Sequence, residues 1–132
     1  MTLETIRATI ASMIFANWST VTEIGWPNTT YIPPEGGTWI EPKIQTSEPI
    51  IGELGTIGVS VRPGVLSISV FTPPNSGTKI AIDYAQRLEA LFRRAEMEGI
   101  IFNEPYSTDM GLNENGYYQI LMQVGFNTFV GE

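Results

Sequence analysis

Two stretches of this chain alternate between apolar and polar side chains, and they limit the possible folds more than any other feature. In residues 65–72, the apolar Leu66, Ile68 and Val70 are separated by serines. Residues 117–129 repeat the pattern with the apolar side chains Tyr118, Ile120, Met122, Val124 and Phe126. Successive side chains of a β-strand point to opposite faces, so both stretches predict strands with one buried and one polar face. Such strands need a second layer over their apolar face.

Two segments with the period of an α-helix can form that layer. Residues 3–17 follow Thr2, a suitable N-cap, and begin an apolar stripe of Leu3, Ile6, Ile10, Met13, Ile14 and Trp18. Residues 78–98 carry a longer stripe of Ala81, Tyr84, Ala85, Leu88, Leu91, Phe92 and Ala95, and Gly99 is a natural helix stop. We therefore expect both helices on one face of the sheet.

The remaining segments predict shorter strands and turns. Strands are expected at residues 39–45, 59–61 and 100–102, a type II turn at residues 62–65, and a turn-rich link at residues 109–116. Residues 26–37 are rich in proline and glycine, so any strand there belongs at a sheet edge. The predicted fold class is α+β, a mostly antiparallel or mixed β-sheet with two main helices packed on one face. A single domain is expected over residues 1–132.

The chain contains no histidine and no cysteine. The usual general base, the thiolate nucleophile and the commonest zinc ligands are therefore missing. The remaining candidate acids lie in polar stretches typical of solvated loops: Glu41, Glu48, Glu53, Glu104 and Asp109. Residues 75–79 precede a helix but lack the spacing of a phosphate-binding loop. We predict no catalytic residues, no cofactor and no metal, and hence no enzymatic activity.

The formal net charge is −7, which also narrows the range of partners. Proteins that bind nucleic acid by neutralising phosphates need clustered Lys and Arg, and only seven such residues are present. The same acidity disfavours binding to anionic membrane surfaces. No stretch approaches the ~18 apolar residues that span a bilayer.

Several apolar and aromatic residues lie where a core cannot receive all of them. Residues 46–58 place Ile50, Ile51, Leu54 and Ile57 among glycines, a pattern typical of protein-binding surfaces. Trp26, Tyr31 and Trp39 lie among prolines. Because Trp and Tyr are enriched both in cores and at binding hot spots, these three are candidates for either role.

Four stretches together carry a resemblance to a known family. They are the helix at residues 3–17, the sequence Arg-Pro-Gly-Val-Leu-Ser-Ile-Ser-Val at residues 62–70, residues 72–77 leading into helix residues 85–92, and the strand at residues 118–126. In this order they resemble the tail terminator proteins of long-tailed bacteriophages and related prophages. Residues 35–58 match least well.

The resemblance implies a structural role in the virion tail, with assembly in the host cytoplasm. Such subunits form a hexameric ring on the head-proximal end of the tail tube. The ring stops polymerisation of the tube protein and offers a surface to the head–tail connector. No cofactor and no membrane are involved, and DNA only passes through the lumen. An acidic ring would repel that DNA, which motivates the hypothesis of a non-adhesive lumen.

A ring also implies that each neighbour contributes a different patch to the contact. Residues 46–62 are the expected first patch, with Ile50, Ile51 and Leu54 as apolar contacts and Arg62 bonded to a carboxylate of the neighbour. Arg62 as an ordinary surface turn residue is the alternative. The aromatic residues Trp26, Tyr31 and Trp39 are the expected second patch. Two other functions remain open: another phage neck or tail component, such as a head-completion or tube subunit, and a small-ligand-binding α+β domain.

Overall fold

Two helices cover one face of a β-sheet. The computed structural model describes residues 2–29, 31–33, 37–47, 50–51 and 59–131. The helices are α1 (Leu3–Trp18) and α2 (Lys79–Phe92). Within the described residues the strands are β1 (Glu23–Ile24), β2 (Trp39–Thr46), β3 (Ile50–Ile51), β4 (Val59–Thr72), β5 (Glu96–Met97), β6 (Ile100–Phe102), β7 (Tyr106–Leu112) and β8 (Tyr118–Gly131). The predicted α+β class is confirmed.

The centre of the sheet is one long antiparallel pair, β4 with β8. The two strands pair from Val59 opposite Gly131 to Thr72 opposite Tyr118, without interruption. The predicted turn at residues 62–65 is therefore wrong, because Pro63 and Gly64 lie inside β4 and pair with β8. The Pro63 ring removes one amide donor, but its carbonyl still accepts a hydrogen bond from the amide of Ser47 at 3.0 Å.

The other strands add to the two outer edges of this pair. Their order is β1-β2-β4-β8-β6-β5, with β3 also paired to β4 and β7 also paired to β8. The β1–β2 pair is parallel, and the other described pairs are antiparallel. The sheet is therefore mixed and mostly antiparallel, as expected. The edge strand β1 lies just before residues 26–37, the proline-rich stretch for which only an edge strand was predicted.

The predicted alternation decides which sheet face is buried. Leu66 lies opposite Val124, and Ile68 lies opposite Met122, and all four side chains are fully buried. Both helices pack on this face and share a core with it, through Ile6, Ile10, Ile14 and Trp18 of α1 and through Leu88 and Phe92 of α2. The face that carries the serines points away from the helices.

The helix ends differ in how closely they follow the sequence. The Thr2 side chain caps α1, because its hydroxyl oxygen accepts a hydrogen bond from the amide of Thr5 at 3.1 Å. Helix α2 ends at Phe92, earlier than predicted, because Arg93 is extended and the chain enters a hairpin. Gly99 lies in the turn of that β5–β6 hairpin and does not cap the helix.

Strand β7 occupies the first half of the segment 109–116 that was predicted as a turn-rich link, and the second half forms a turn in which the amide of Gly116 donates to the carbonyl of Asn113 at 2.9 Å. The residues of β7 are mostly exposed and show no apolar alternation, so the sequence carries no strand pattern there. Pairing with β8 provides the missing stabilisation. Asp109 and Gly111 mark a bulge in this pair.

Candidate docking surfaces

The sequence-predicted contact residues fall on two regions of the fold and partly outside the described residues. Ile50 and Ile51 form β3, opposite Val61 and Ser60 of β4. Leu54 and Ile57 lie outside the described residues. The region of β3, residues 59–61 of β4 and residues 129–131 of β8 is called the strand arm here. Its Phe129 side chain is 46% exposed, so an apolar ring is available for contact at this end of the sheet.

The strand arm extends beyond the body of the sheet on the β2 side. Strand β2 ends at Thr46, opposite Gly64, and Ile51 lies opposite Ser60, four residues further along β4. At about 3.3 Å per residue, the arm reaches roughly 13 Å beyond the end of β2. The segment that was predicted to bind a neighbour therefore begins at one end of the long strands.

Arg62 lies at the base of the strand arm, on the helix-covered face. It is opposite Thr128, whose side chain is fully buried and whose hydroxyl donates to the carbonyl oxygen of Arg62 at 3.2 Å. The Arg62 Nε atom is buried and has no hydrogen-bond partner among the described residues. A buried cationic donor without a partner is costly. Arg62 is thus a strand residue with an unused donor, and not the turn residue that the alternative assumed.

The three aromatic candidates have different environments. Trp39 is 3% exposed and packs against Phe71 and Tyr117, with ring centroids 4.9 Å and 4.7 Å away. Its indole N–H donates to the Glu41 carboxylate at 2.7 Å. The Tyr31 ring lies 6.4 Å from that of Trp39 and is half-buried. Trp39 is therefore a core residue of the open sheet face, and Tyr31 covers it.

Tyr31 is held in a partly desolvated, acidic setting. Burial, together with the nearby carboxylates of Glu23 and Glu41, raises the pKa of Tyr31 to about 12. Its hydroxyl donates to Glu23 at 3.3 Å. Tyr31 and Trp26 both line a cavity of about 470 Å³ at the β1–β2 edge. The structure thus brings Trp26 and Tyr31 together at one edge and places Trp39 behind Tyr31.

Trp26 also lines a second recess, called the α1–β2 groove here. This groove has a volume of about 600 Å³ and lies between α1 and β2. Its apolar lining includes Ile14, Trp26 and Ile44, and its charged lining consists of Arg7 and Lys43. The sequence did not indicate this site, because its lining comes from three separate segments that each have too few residues to form a motif.

The opposite edge of the sheet carries an acidic hairpin. Met97 pairs with Ile100, and the two residues between them, Glu98 and Gly99, both have positive φ angles of 43° and 86°. Two such residues define a type I′ turn, whose twist matches that of the flanking strands. Glu96 and Glu98 are exposed and form no ion pair with any other described residue.

Beyond the cluster of Trp39, Phe71 and Tyr117, the sheet face away from the helices is open and polar. The Gln119 side-chain amide donates to the Ser69 hydroxyl at 3.0 Å, and that of Gln123 donates to Ser67 at 3.3 Å. The Tyr106 hydroxyl donates to the Gln123 carbonyl oxygen at 3.0 Å, which continues the network across a third strand. These bonds satisfy the polar groups and leave the face suited to water or to a polar partner.

No group of acidic residues among the described parts of the chain is arranged to hold a metal ion. No described helix is long and apolar enough to cross a membrane.

Comparison with known proteins identifies the family to which the chain belongs. A family model described as phage tail terminator protein matches residues 5–126, which include both helices and both sheet edges. A solved structure has the same fold, with a TM-score of 0.70 over 97% of this chain and 96% of that one, at 18% sequence identity. No curated protein matches the sequence. The chain therefore belongs to the phage tail terminator family and is a structural protein of the phage tail.

Proposed function

We propose that this protein closes the head-proximal end of a phage tail tube as a hexameric ring. The ring stops polymerisation of the tube protein and presents a surface to the head–tail connector. Assembly takes place in the host cytoplasm, and the ring remains in the virion tail. The observation that carries this proposal is the family match over residues 5–126, nearly the whole chain.

The shape of the subunit supports a closed ring. A ring with rotational symmetry requires two different patches that meet between neighbours. The chain has distinct surfaces at the two edges of its sheet, the α1–β2 groove at one and the acidic hairpin at the other. The strand arm adds a third, at one end of the long strands.

The strand arm is the proposed apolar contact between neighbours. Ile50 and Ile51, together with Leu54 and Ile57 of the segment between β3 and β4, are the proposed apolar contacts, and the exposed ring of Phe129 is a further candidate. Arg62, at the base of the arm, is proposed to donate to a carboxylate of the neighbour. Trp26 and Tyr31, with Trp39 behind Tyr31, form the proposed second patch.

The passage of DNA through the ring is proposed to be non-adhesive. Each subunit carries a formal charge of −7, so six subunits repel the phosphate backbone of a genome in their lumen. A ring structure with a basic lumen would contradict this part of the proposal.

Electron microscopy of the protein mixed with its tail tubes, together with sedimentation of the protein alone, tests the function. We expect rings, or extra density at one end of tubes of uniform length. Decoration along the whole tube would instead indicate a tube-binding or tube-forming component. An absence of tube binding would exclude a terminator role.

Substitutions at the arm test the proposed contacts in the same assay. Arg62→Gln and Leu54→Ser are expected to reduce the fraction of capped tubes at least fivefold, because they remove a charged donor and an apolar contact. Leu112→Ser is the matched control, since Leu112 is 68% exposed on β7, away from the arm. Equal capping by all three variants would refute the arm as a contact.

A further inference from the structure

Two strands of the sheet have a free edge, and these edges lie on opposite sides of the sheet. Strand β2 pairs with β4 along its whole length, but on its other side the described strand β1 covers only Trp39 and Ile40. Strand β7 pairs with β8 and with no other described strand. A free strand edge carries main-chain donors and acceptors that a strand of another molecule can bind.

The two free edges lie at the same level, because β2, β4, β8 and β7 form one continuous four-stranded band. Lys43 lies opposite Ser67. Ser67 lies opposite Gln123, which in turn lies opposite Tyr106. Each pair of neighbours in this band is antiparallel, so β7 runs antiparallel to β2. When a second copy stands beside the first in the same orientation, its β2 is therefore antiparallel to β7 of the first.

On the free edge of β2, every second residue has its main-chain groups facing outward. The Ile40 carbonyl faces outward, because it accepts a hydrogen bond from the amide of Gly25 at 2.8 Å. The N–H and C=O groups of alternate strand residues point to the same side, so those of Ile44 and Thr46 also face outward. Pro42, the other residue of this row, is buried and has no amide to donate.

On the free edge of β7, the outward-facing groups belong to Ser107 and Asp109. The Gly125 carbonyl of β8 accepts a hydrogen bond from the amide of Asn103, between β6 and β7, so the odd-numbered residues of β8 face β7. Ser107 and Asp109 lie opposite even-numbered residues of β8, and their own amides and carbonyls therefore face away from the sheet. Residues 106–109 are exposed and include no Lys or Pro, the residues that commonly block edge pairing.

The helix-covered sides of the two edges are complementary as well. Beside β7, Ile82 of α2 is 40% exposed and lines a recess of about 190 Å³ together with Glu89 and Asp109. Beside β2, the α1–β2 groove has a mainly apolar lining, to which α1 adds the base Arg7. When two copies join edge to edge, an exposed apolar side chain meets an apolar groove, and acids meet a base.

From these observations we propose that β7 of one copy adds to the free edge of β2 in the next copy, so that the sheet continues around the ring. Ser107 then pairs with Thr46 of the next copy, and Asp109 pairs with Ile44, through their outward-facing main-chain groups. Ile82 packs at the α1–β2 groove. The contact rests on the proposed ring and specifies how its neighbours join.

This register supplies the stagger that a closed sheet needs. Ser107 is level with Pro42 of its own copy but pairs with Thr46 of the next, a shift of four residues for each four-stranded copy. One residue of shift per strand is also the ratio in an eight-stranded barrel with a shear of eight, whose strands tilt by about 36°.

Disulfide formation tests the pairing directly, because the chain has no native cysteine. In the proposed register Gln45 lies opposite Thr108 of the next copy as a non-hydrogen-bonded pair, with Cα atoms about 4.5 Å apart and within disulfide reach. A protein carrying Gln45→Cys and Thr108→Cys, oxidised in the presence of tail tubes, is expected to give a ladder of covalent oligomers that stops at the ring size. Within one copy the two positions are three strand spacings apart, at least roughly 14 Å, so the bond cannot form inside a subunit.

The matched control carries Lys43→Cys with Thr108→Cys. Lys43 lies on the same face of β2 as Gln45 but about 7 Å further along the strand. We expect this pair to give at most a tenth of the ladder, and either single cysteine variant to give none. Equal ladders from both pairs would show that the register is wrong, and a ladder from a single variant would show that like edges meet.

Proline substitution provides an independent test, because proline removes one amide donor. Ser107→Pro removes an outward-facing donor, so the subunit should stay folded by circular dichroism while ring formation falls at least tenfold. Ser107→Ala keeps the amide and is the control, with ring formation within about twofold of the wild type. Leu112 lies beyond the bulge and outside this pairing, so Leu112→Ser should still assemble.

The outcomes separate this contact from the ring itself. Rings seen by electron microscopy without a ladder from the Gln45→Cys, Thr108→Cys protein, or with undiminished assembly of a folded Ser107→Pro variant, would overturn the contact and leave the ring. A ladder that continues past every closed size would support the contact and contradict the ring. The absence of both rings and ladder would overturn both proposals.

Discussion

Gly64 is needed because the Phe126 ring passes directly over the backbone of β4. A Cβ atom at position 64 would lie 2.4 Å from Phe126 Cζ and 2.8 Å from the carbonyl oxygen of Gln45. The backbone oxygen cannot move away as a flexible side chain could. From the sequence alone, Pro63 and Gly64 were predicted to form a turn. In the structure Gly64 lies inside a strand, where the absence of a side chain lets the Phe126 ring approach the backbone.

Gly64→Ala is therefore expected to lower the free energy of unfolding by about 1–3 kcal/mol, the usual cost of overpacking. The matched control is Gly125→Ala on the partner strand, where the nearest atom to a new Cβ is the movable Asn103 amide nitrogen at 3.3 Å. The control should stay within about 0.5 kcal/mol of the wild type. Urea unfolding measures both, and equal losses would contradict the role of Phe126.

Tyr31 makes the free energy of unfolding depend on pH in the alkaline range. Its folded-state pKa of about 12 is higher than the ordinary value, because burial and the acids beside it disfavour the phenolate. The folded protein then holds this proton more tightly than the unfolded chain does. Its contribution to stability is complete below the ordinary tyrosine pKa of about 10 and is lost as the pH rises to about 12.

We therefore expect stability to fall between about pH 10 and 12, and to fall less in Tyr31→Phe. An absorbance titration of the phenolate should show that this variant lacks one of the groups that ionise late. Tyr106→Phe, at a side chain that is 57% exposed, is the control. If removing Tyr31 leaves the late part of the titration unchanged, the assigned environment of Tyr31 is wrong.

Among the elements, the β5–β6 hairpin keeps a residue that its turn geometry disfavours. Glu98 has a φ angle of 43°, in the region that L-residues other than Asn and Asp rarely adopt. An Asn-Gly sequence is the preferred type I′ turn.

Glu98→Asn is expected to raise the free energy of unfolding by about 0.5–1 kcal/mol, by relieving this backbone strain. Thermal unfolding of this variant and of the wild type measures the difference. Unchanged stability would argue against strain in the turn.

For the molecule as a whole, stability should be greatest along the β4–β8 pair. Both strands are hydrogen-bonded to neighbours on both sides over most of their length. Their apolar side chains also form the centre of the core, between the two helices. The short edge strands β1 and β5 have one neighbour each among the described strands.

Hydrogen exchange should therefore be slowest at the amides of residues 66–70 and 120–126, and much faster in β1, β5 and β7. Exchange followed by NMR or mass spectrometry measures this order. Slower exchange in the helices than in β4 would show that the helical layer, and not the strand pair, is the most stable unit.

The sequence alone predicted most of the surfaces that become core, although Leu3 of the predicted α1 stripe is 54% exposed. The alternation in β4 and β8 and the stripe of α1 depend on local periodicity, and side chains follow that periodicity in any fold that covers one sheet face. The same holds for Thr2, whose cap uses only atoms three residues apart. The fold class and the family resemblance followed from these local patterns.

The length of β4, the existence of β7 and the recessed sites depended on long-range pairing. Pro63 and Gly64 have the sequence of a turn, but they lie within a strand because β8 pairs along the whole of β4. Strand β7 has no apolar pattern of its own. The α1–β2 groove likewise joins Arg7, Trp26 and Lys43, which are far apart in the sequence. A site whose residues meet only when separate segments pack together leaves no local periodicity to detect, so it became visible only in the folded chain.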